Sequence, residues 1–89
     1  MSQNEKLLLA LLSGRNDKNF SFHDLCHILD LIGGKCHIRG DHFIYTFPGI
    51  ISVINIQPGK NGKAKPYQVK QVREFIQASH IGGDLFESI

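Results

Sequence analysis

Cysteines are few in this sequence, and long apolar runs are missing from it. Cys26 and Cys36 are too few for a disulfide framework, and each falls where a small buried residue would serve. The apolar run at residues 7–12 is shorter than the core of a secretory signal, follows Glu5 and lacks a small-residue cleavage pattern. Nothing approaches the length of a membrane-spanning helix. These absences favour a cytoplasmic protein that has reduced thiols and does not associate with a membrane.

Acidic residues are missing from residues 60–73, although the formal charge of the whole chain is only +2. This stretch carries five of the ten basic residues, namely Lys60, Lys63, Lys65, Lys70 and Arg73. The local asymmetry therefore says more about binding partners than the total charge does.

The chain also has no repeat, linker or low-complexity segment, so residues 1–89 are expected to form one domain. A domain of this size has no room for a deep enclosed pocket, so an active site should lie on a surface or in a shallow groove. Such a site favours a macromolecular substrate over a small metabolite.

Apolar spacing predicts three helices. The first covers about residues 3–13 and ends at Ser13-Gly14. The second begins after Ser21, which has Asp24 three residues later in a near-capping-box spacing, and it continues to Gly33-Gly34. Pro66 suits the first position of the last helix, whose buried stripe comprises Val69, Val72, Phe75 and Ile76. The tail after Ser79, with Gly82-Gly83, is expected to fray.

Between the second and third helices the apolar period changes to two. This pattern predicts strands at residues 35–39, 42–47 and 50–57, joined by tight turns at Gly40-Asp41 and Pro48-Gly49. In the first strand, Cys36 and Ile38 lie on one face, and Lys35, His37 and Arg39 lie on the other.

The expected architecture is an α+β fold in the order α-α-β-β-β-α, with the helices on one face of a three-stranded antiparallel sheet. The other face of the sheet is then open. The second strand is apolar on both sides, because His42, Ile44 and Thr46 alternate with Phe43, Tyr45 and Phe47. We therefore expect an open face that is partly aromatic and that binds a partner or a second copy of the chain.

Two histidine patterns suggest metal binding but favour simpler interpretations. His23 and His27 have the i, i+4 spacing of two zinc ligands on a helix, yet no third ligand follows, and both fall opposite the apolar face. A Cys/His cluster from Cys26-His27 and Cys36-His37 would need ligands from both faces of a helix and of a strand. We therefore expect no metal site and no cofactor.

His42 is a candidate catalytic group. It follows the Gly40-Asp41 turn, where a side chain at the start of a strand can be exposed, and it has Arg39 as a cationic neighbour. An imidazole titrates near neutrality, which suits proton transfer to or from a ribose hydroxyl or a leaving oxygen. On its position alone, the alternative of an ordinary strand histidine stays open.

The lysines at residues 60–65 form a candidate phosphate site. They lie at or just before a helix N-terminus, where free N–H groups and the helix dipole already make the potential positive. Lysines at this positive helix end are unfavourable for the stability of the protein alone. A bound phosphate would make the same arrangement favourable. Lys70 and Arg73 extend the set along the same helix as a stripe that could follow a nucleic-acid backbone. The alternative is a solvated loop with ordinary surface charges.

Three segments carry a family resemblance: Gly40-Asp41-His42 followed by Phe43-Ile44-Tyr45, then Asn55-Ile56-Gln57-Pro58, then Lys63-Ala64-Lys65-Pro66-Tyr67-Gln68-Val69. On these segments, over about residues 20–78, the chain resembles the HicA family, the toxin half of bacterial type II toxin–antitoxin pairs. The resemblance implies a double-stranded-RNA-binding-domain-like fold, a ribonuclease acting on mRNA and a single functional histidine. It also implies neutralisation by a HicB-type antitoxin that covers the active face.

The family's histidine falls on His42 and its turn glycine on Gly40. The commoner family pattern has Ser at the position of Asp41, which would either orient His42 or weaken attraction for phosphate. Many members also lack the first helix. We expect His42 to act as general acid or base and to need no metal if the 2′-hydroxyl is the nucleophile. The residues expected to bind the RNA backbone are Lys60, Lys63, Lys65, Lys70, Arg73 and Arg39.

The second proton-transfer group stays open among His37, Tyr45 and Lys65. Two other functions also stay open. One is a module that binds double-stranded RNA by shape without cutting it. The other is an interaction domain that docks a protein on its apolar sheet face.

Overall fold

Local capping signals set the helix ends in the computed structural model, which describes residues 2–81. Helix α1 (Gln3–Ser13) begins with a reciprocal capping box, in which the Glu5 amide donates to Ser2 Oγ and the Ser2 amide donates to the Glu5 carboxylate. Helix α2 (Phe22–Leu31) begins at Ser21, whose hydroxyl accepts from the Asp24 amide at 3.2 Å. Helix α3 (Pro66–Ser79) has proline in its first turn. All three predicted helices are confirmed.

The three strands form one antiparallel sheet in the order β1-β2-β3. Strand β1 is Lys35–Arg39, β2 is His42–Phe47 and β3 is Ile50–Ile56, one residue shorter than predicted. Gly40, with φ of 60°, takes the first position of the two-residue turn between β1 and β2, where a residue with a Cβ would be strained. The pairing of β2 with β3 shifts between Tyr45 and Phe47, next to the second turn.

The core lies between the helices and one face of the sheet. Inward-facing side chains of β2 and β3 pack against α2 and α3, while α1 packs against those two helices. The buried apolar residues include Leu8, Leu11, Phe22, Leu25, Ile28, Leu29, Tyr45, Phe47, Ile54, Ile56, Val69, Val72 and Ile76. The chain is a compact α+β domain with three helices and a three-stranded antiparallel sheet, as the sequence predicted.

The expectation that the open sheet face is partly aromatic is wrong. The three aromatic residues of β2 lie on the helix side, where Phe43 packs edge-on against Phe22 at a centroid distance of 5.0 Å and Phe47 packs against Phe75 at 4.8 Å. Tyr45 lies between them and is buried. The open face instead carries Lys35, His37, Arg39, His42, Ile44, Thr46, Val53 and Asn55. It is polar and basic along β1 rather than aromatic.

The two cysteines, Cys26 in α2 and Cys36 in β1, are free and half-buried. Burial raises the pKa of the Cys26 thiol above its ordinary value. Within residues 2–81, no helix is both long enough and apolar enough to cross a membrane. The predicted fraying of the tail after Ser79 falls mainly on residues 82–89, which lie outside the described residues.

Candidate active site at one end of the sheet

His42 lies on the open face of the sheet, at the first position of β2. Its side chain is 48% exposed. Pairing of β1 with β2 sets Arg39 directly opposite His42. On the other side, Phe43 pairs with Ile56, so Gln57 stands level with His42 just beyond the end of β3.

Both ring nitrogens of His42 are hydrogen-bonded. Nδ1 lies 3.1 Å from Asn55 Oδ1, and Nε2 lies 3.0 Å from Gln57 Nε2. The carboxylate of Asp41 is close but not bonded to the ring, with Oδ1 3.8 Å from His42 Nε2. Two amide side chains therefore hold the imidazole in one orientation while leaving half of it open to solvent.

Gln57 connects His42 to the last helix. Its side-chain oxygen accepts from Lys65 Nζ at 3.0 Å, and its Nε2 also lies 3.4 Å from Asp41 Oδ1. The backbone amide of Gln57 donates to Gln68 Oε1 at 3.0 Å. Gln68 is only 5% exposed, so α3 fixes the backbone position of Gln57 from within the core.

The segment before α3 forms a tight hairpin. Asn61 and Gly62 both have positive φ, 59° and 73°, as a type I′ turn requires, and the Lys63 amide donates to the Lys60 carbonyl at 3.1 Å. Below the turn, the Gly59 amide donates to the Lys63 carbonyl at 2.7 Å, so closely that a Cβ on Gly59 would lie 2.8 Å from that oxygen.

The lysines of this segment have different partners. Lys63 Nζ donates to Asn19 Oδ1 at 2.9 Å, away from His42, whereas Lys65 reaches Gln57. Lys60 is exposed beside the turn. Lys65 is also the N-cap residue of α3, which has no side-chain cap and no acidic residue in its first turn. No acidic side chain therefore offsets the positive potential of the helix N-terminus beside Lys65.

Lys70 lies in a separate shallow cleft of about 640 Å³ between α3 and the loop after α1. Its ammonium is 3.9 Å from the Glu74 carboxylate, and both side chains are exposed. The cleft is also lined by Arg15, Lys18 and Tyr67, which is 64% exposed. The proximity of Arg15 and Lys18 to Lys70 becomes visible only in the fold.

Arg73 does not extend the cationic stripe, contrary to expectation. Its guanidinium binds the Asp17 carboxylate in a bidentate pair at 2.9 and 3.0 Å and donates to the Leu11 carbonyl at 3.1 Å. The side chains of Arg73 and Asp17 are 15% and 21% exposed. Hydrogen bonding to Asp17 raises the pKa of Arg73 above its ordinary value. This arginine joins α1, the following turn and α3, so its role is structural.

Two of the three candidates for a second proton-transfer group remain near His42. Tyr45 does not, because it points to the opposite face of the sheet, where its hydroxyl is 3.5 Å from the Cys26 carbonyl and burial raises its pKa well above the usual range. His37 lies on the open face, diagonally across from His42. Lys65 is linked to His42 through Gln57.

The helix histidines lie apart from this site. His23 is 92% exposed, and His27 Nε2 lies 3.0 Å from Asn4 Oδ1 at the surface. In the described part of the chain, no group of three or more His, Cys, Asp or Glu side chains is placed to hold a metal ion.

Asn55, Gln57 and Gln68 are the site residues whose roles the sequence did not reveal. Their segments contributed to the family resemblance, but no function was assigned to their side chains. The sequence did contain a usable signal, because strand alternation places residues 55 and 57 on one face and the hairpin of β2 and β3 brings that face beside His42. What alternation could not supply was the pairing register between β2 and β3.

The assembled site contains a half-exposed imidazole, a network of amides that orients it, and two cations, Arg39 and Lys65, close by. Such an arrangement can bind a phosphate and exchange a proton with a hydroxyl beside it. No protein-family model matches this sequence, and no curated protein or solved structure is detectably similar to it.

Proposed function

We propose that this protein is a metal-independent endoribonuclease of the HicA type that cleaves mRNA, with His42 as the general base. The observation that carries the proposal is the environment of His42. Its ring is half-exposed and both of its nitrogens are hydrogen-bonded. Arg39 lies opposite it, and Gln57 links it to Lys65. The family resemblance of the segments that contain these residues supports the same function. So does the order of helices and strands, which is compatible with a double-stranded-RNA-binding-domain-like fold.

The proposed reaction needs only groups in the protein and the RNA. His42 takes the proton from a ribose 2′-hydroxyl, the 2′-oxygen bonds to the adjacent phosphorus, and the bond from phosphorus to the 5′-oxygen breaks. The leaving 5′-oxygen takes a proton from Lys65, His37 or water. The products are a 2′,3′-cyclic phosphate and a 5′-hydroxyl. Lys65 and Arg39 stabilise the negative charge that grows on the phosphate oxygens.

The RNA backbone would extend from His42 across the N-terminus of α3. Lys65 lies at that N-terminus, Lys60 and Lys63 lie on the preceding hairpin, and Lys70 lies one turn along the helix. Arg73 is not part of this surface, because its guanidinium is committed to Asp17. In this proposal the protein is cytoplasmic, and a HicB-type antitoxin inhibits it by covering the open face around His42.

Cleavage of labelled RNA by the purified protein tests the proposal. His42→Ala should lower the chemical rate by about 10²–10⁴-fold, the usual contribution of general acid–base catalysis. His23→Ala is the matched control, because it removes an exposed histidine from a helix outside the site. The His42→Ala protein should still bind RNA, since backbone contacts are assigned to lysines. Cleavage by folded His42→Ala protein at the wild-type rate would refute the assignment.

A second candidate function is RNA binding without cleavage. The observation that favours it is the Gln57 amide on His42 Nε2, which occupies the nitrogen that a general base must use. The same assay separates the candidates, because a binding module would retain labelled RNA at low salt and leave it intact. A protein-docking domain without RNA function would show no salt-dependent RNA binding at all.

A further inference from the structure

Gln57 lies between one group that can only donate and one that can only accept. The Lys65 ammonium carries three donors and no acceptor, and it lies 3.0 Å from one end of the Gln57 amide. That end must therefore be the oxygen. The other end lies 3.4 Å from the Asp41 carboxylate, which can only accept. Turning the amide over would place NH₂ against the ammonium and oxygen against the carboxylate, so both neighbours favour the same orientation.

The orientation of Gln57 determines which nitrogen of His42 carries the proton. The Gln57 NH₂ group lies 3.0 Å from His42 Nε2 and 3.4 Å from Asp41 Oδ1, and the shorter contact is the one to the ring. Nε2 must then accept, so it bears a lone pair. The proton of the neutral ring is on Nδ1, where it is donated to Asn55 Oδ1 at 3.1 Å. A proton on Nε2 would set donor against donor.

We propose that Lys65 acts through Gln57 to hold His42 in the tautomer with the proton on Nδ1 and the lone pair on Nε2, which makes Lys65 and Gln57 positioning residues. A neutral imidazole in water favours the opposite tautomer, so the ring in this protein carries a distinctive signature. The functional meaning of the tautomer rests on the proposed ribonuclease activity, because it presents Nε2 as the base for a 2′-hydroxyl. That hydroxyl takes the place of the Gln57 hydrogen on Nε2.

The tautomer can be measured without RNA or catalysis. In ¹⁵N-labelled protein at about pH 9, where imidazoles are neutral, the protonated and unprotonated ring nitrogens have widely separated ¹⁵N shifts in two-bond ¹H–¹⁵N spectra. The spectrum of His42→Ala identifies the His42 signals. His37, exposed on the same face, is the internal reference for a ring in solvent. We expect the proton on Nδ1 for His42 and mainly on Nε2 for His37.

Substitutions test whether Lys65 acts on His42 through the Gln57 amide or only through its nearby charge. Gln57→Glu places a group that only accepts against Nε2, so the proton should move to Nε2. Lys65→Met should raise the ratio of the Nε2–H to the Nδ1–H form about tenfold, the typical effect of one hydrogen bond to a charged group. Lys63→Met is the matched control, because Lys63 binds Asn19 instead, and it should leave the ratio unchanged. Lys65→Arg, which keeps a donor, should preserve the wild-type tautomer.

Two results would overturn the inference: a wild-type His42 with its proton on Nε2, or a Lys65→Met spectrum that matches that of Lys63→Met. Amide spectra of each variant report folding independently of the ring signals. The outcome is also distinguishable from failure of the ribonuclease proposal. If His42 has the expected tautomer but the protein leaves RNA intact, only the ribonuclease proposal is rejected. If the protein cleaves RNA but His42 has the other tautomer, only the proposed action of Lys65 through Gln57 is rejected.

Discussion

Replacing Arg73 with methionine should destabilise the fold without weakening RNA binding. The change keeps most of the side chain's apolar stem but removes the bidentate bond to Asp17 and the bond to the Leu11 carbonyl. Because the Asp17 side chain is only 21% exposed, its carboxylate would remain mostly buried without a cation. Breaking a buried ion pair on one side costs about 3–5 kcal/mol, and partial exposure lowers the expected loss here to roughly 2–4 kcal/mol.

That loss is large for a small domain, because total stabilities are about 5–15 kcal/mol. Urea unfolding followed by circular dichroism measures it, and the midpoint of thermal unfolding should fall by roughly 10–20 °C. Lys70→Met is the matched control, since its ion pair with Glu74 is exposed and its removal should change the free energy of unfolding by under about 0.5 kcal/mol.

A double-mutant cycle tests the cause of the loss. Adding Asp17→Asn to Arg73→Met removes the carboxylate that has lost its cation, and it should restore about 1 kcal/mol or more of the free energy of unfolding. A structural role for the Arg73–Asp17 pair is refuted if the free energy of unfolding of Arg73→Met lies within about 1 kcal/mol of the wild-type value. It also fails if the folded variant binds RNA more weakly than the wild type does, because Arg73 would then contact RNA as the sequence first suggested.

Three further outcomes are expected. RNA affinity should fall with salt with a log–log slope of roughly −2 to −4, and removing the charges of Lys60 and Lys63 should flatten it; a slope near zero would reject the phosphate site. His23→Ala and His27→Ala should each leave the urea midpoint and RNA cleavage nearly unchanged, and zinc bound stoichiometrically by the wild type and lost on either change would contradict this. Because burial raises the pKa of Tyr45, unfolding releases a proton above about pH 10, so the free energy of unfolding is unaffected by this group below that pH and falls as the pH rises further. Tyr45→Phe should therefore flatten the fall of the unfolding free energy above about pH 10, and equal slopes in the two proteins would contradict the burial argument.

The helices and strands were predictable because each is specified by neighbours in the sequence. Ser21 and Pro66 mark helix starts, and the change of apolar period at Lys35 marks the beginning of the sheet. Alternation also assigned Lys35, His37 and Arg39 correctly to one face. Alternation does not predict which face of β2 the helices cover, because β2 is apolar on both faces. That choice is made by packing of Phe22 and Phe75 against Phe43 and Phe47, which are distant in sequence.

The environment of the cations was less predictable for the same reason. Arg73 and Asp17 are 56 residues apart, and no local pattern indicates that they form a pair. The Lys63 contact with Asn19 spans 44 residues. Charge density along the chain located a basic segment but could not separate lysines that face solvent from an arginine held inside the fold. His42 was identified from its turn and its resemblance, whereas the amides that bind it required the sheet register.

The register of the sheet explains why the candidate site is not disturbed by the shift in pairing between β2 and β3. A one-residue slip in pairing sends every side chain of a strand to the opposite face. Pairing is regular from Phe43–Ile56 to Tyr45–Ile54, beside His42, and the shift occurs farther along, toward the Pro48-Gly49 turn. The irregular end of the hairpin thus lies away from the site. The regular end keeps His42, Asn55 and Gln57 on one face, and Gln68 of α3 holds Gln57 in place from the core. The hydrogen-bond geometry around the imidazole therefore depends on the regular pairing of β2 with β3 and on α3.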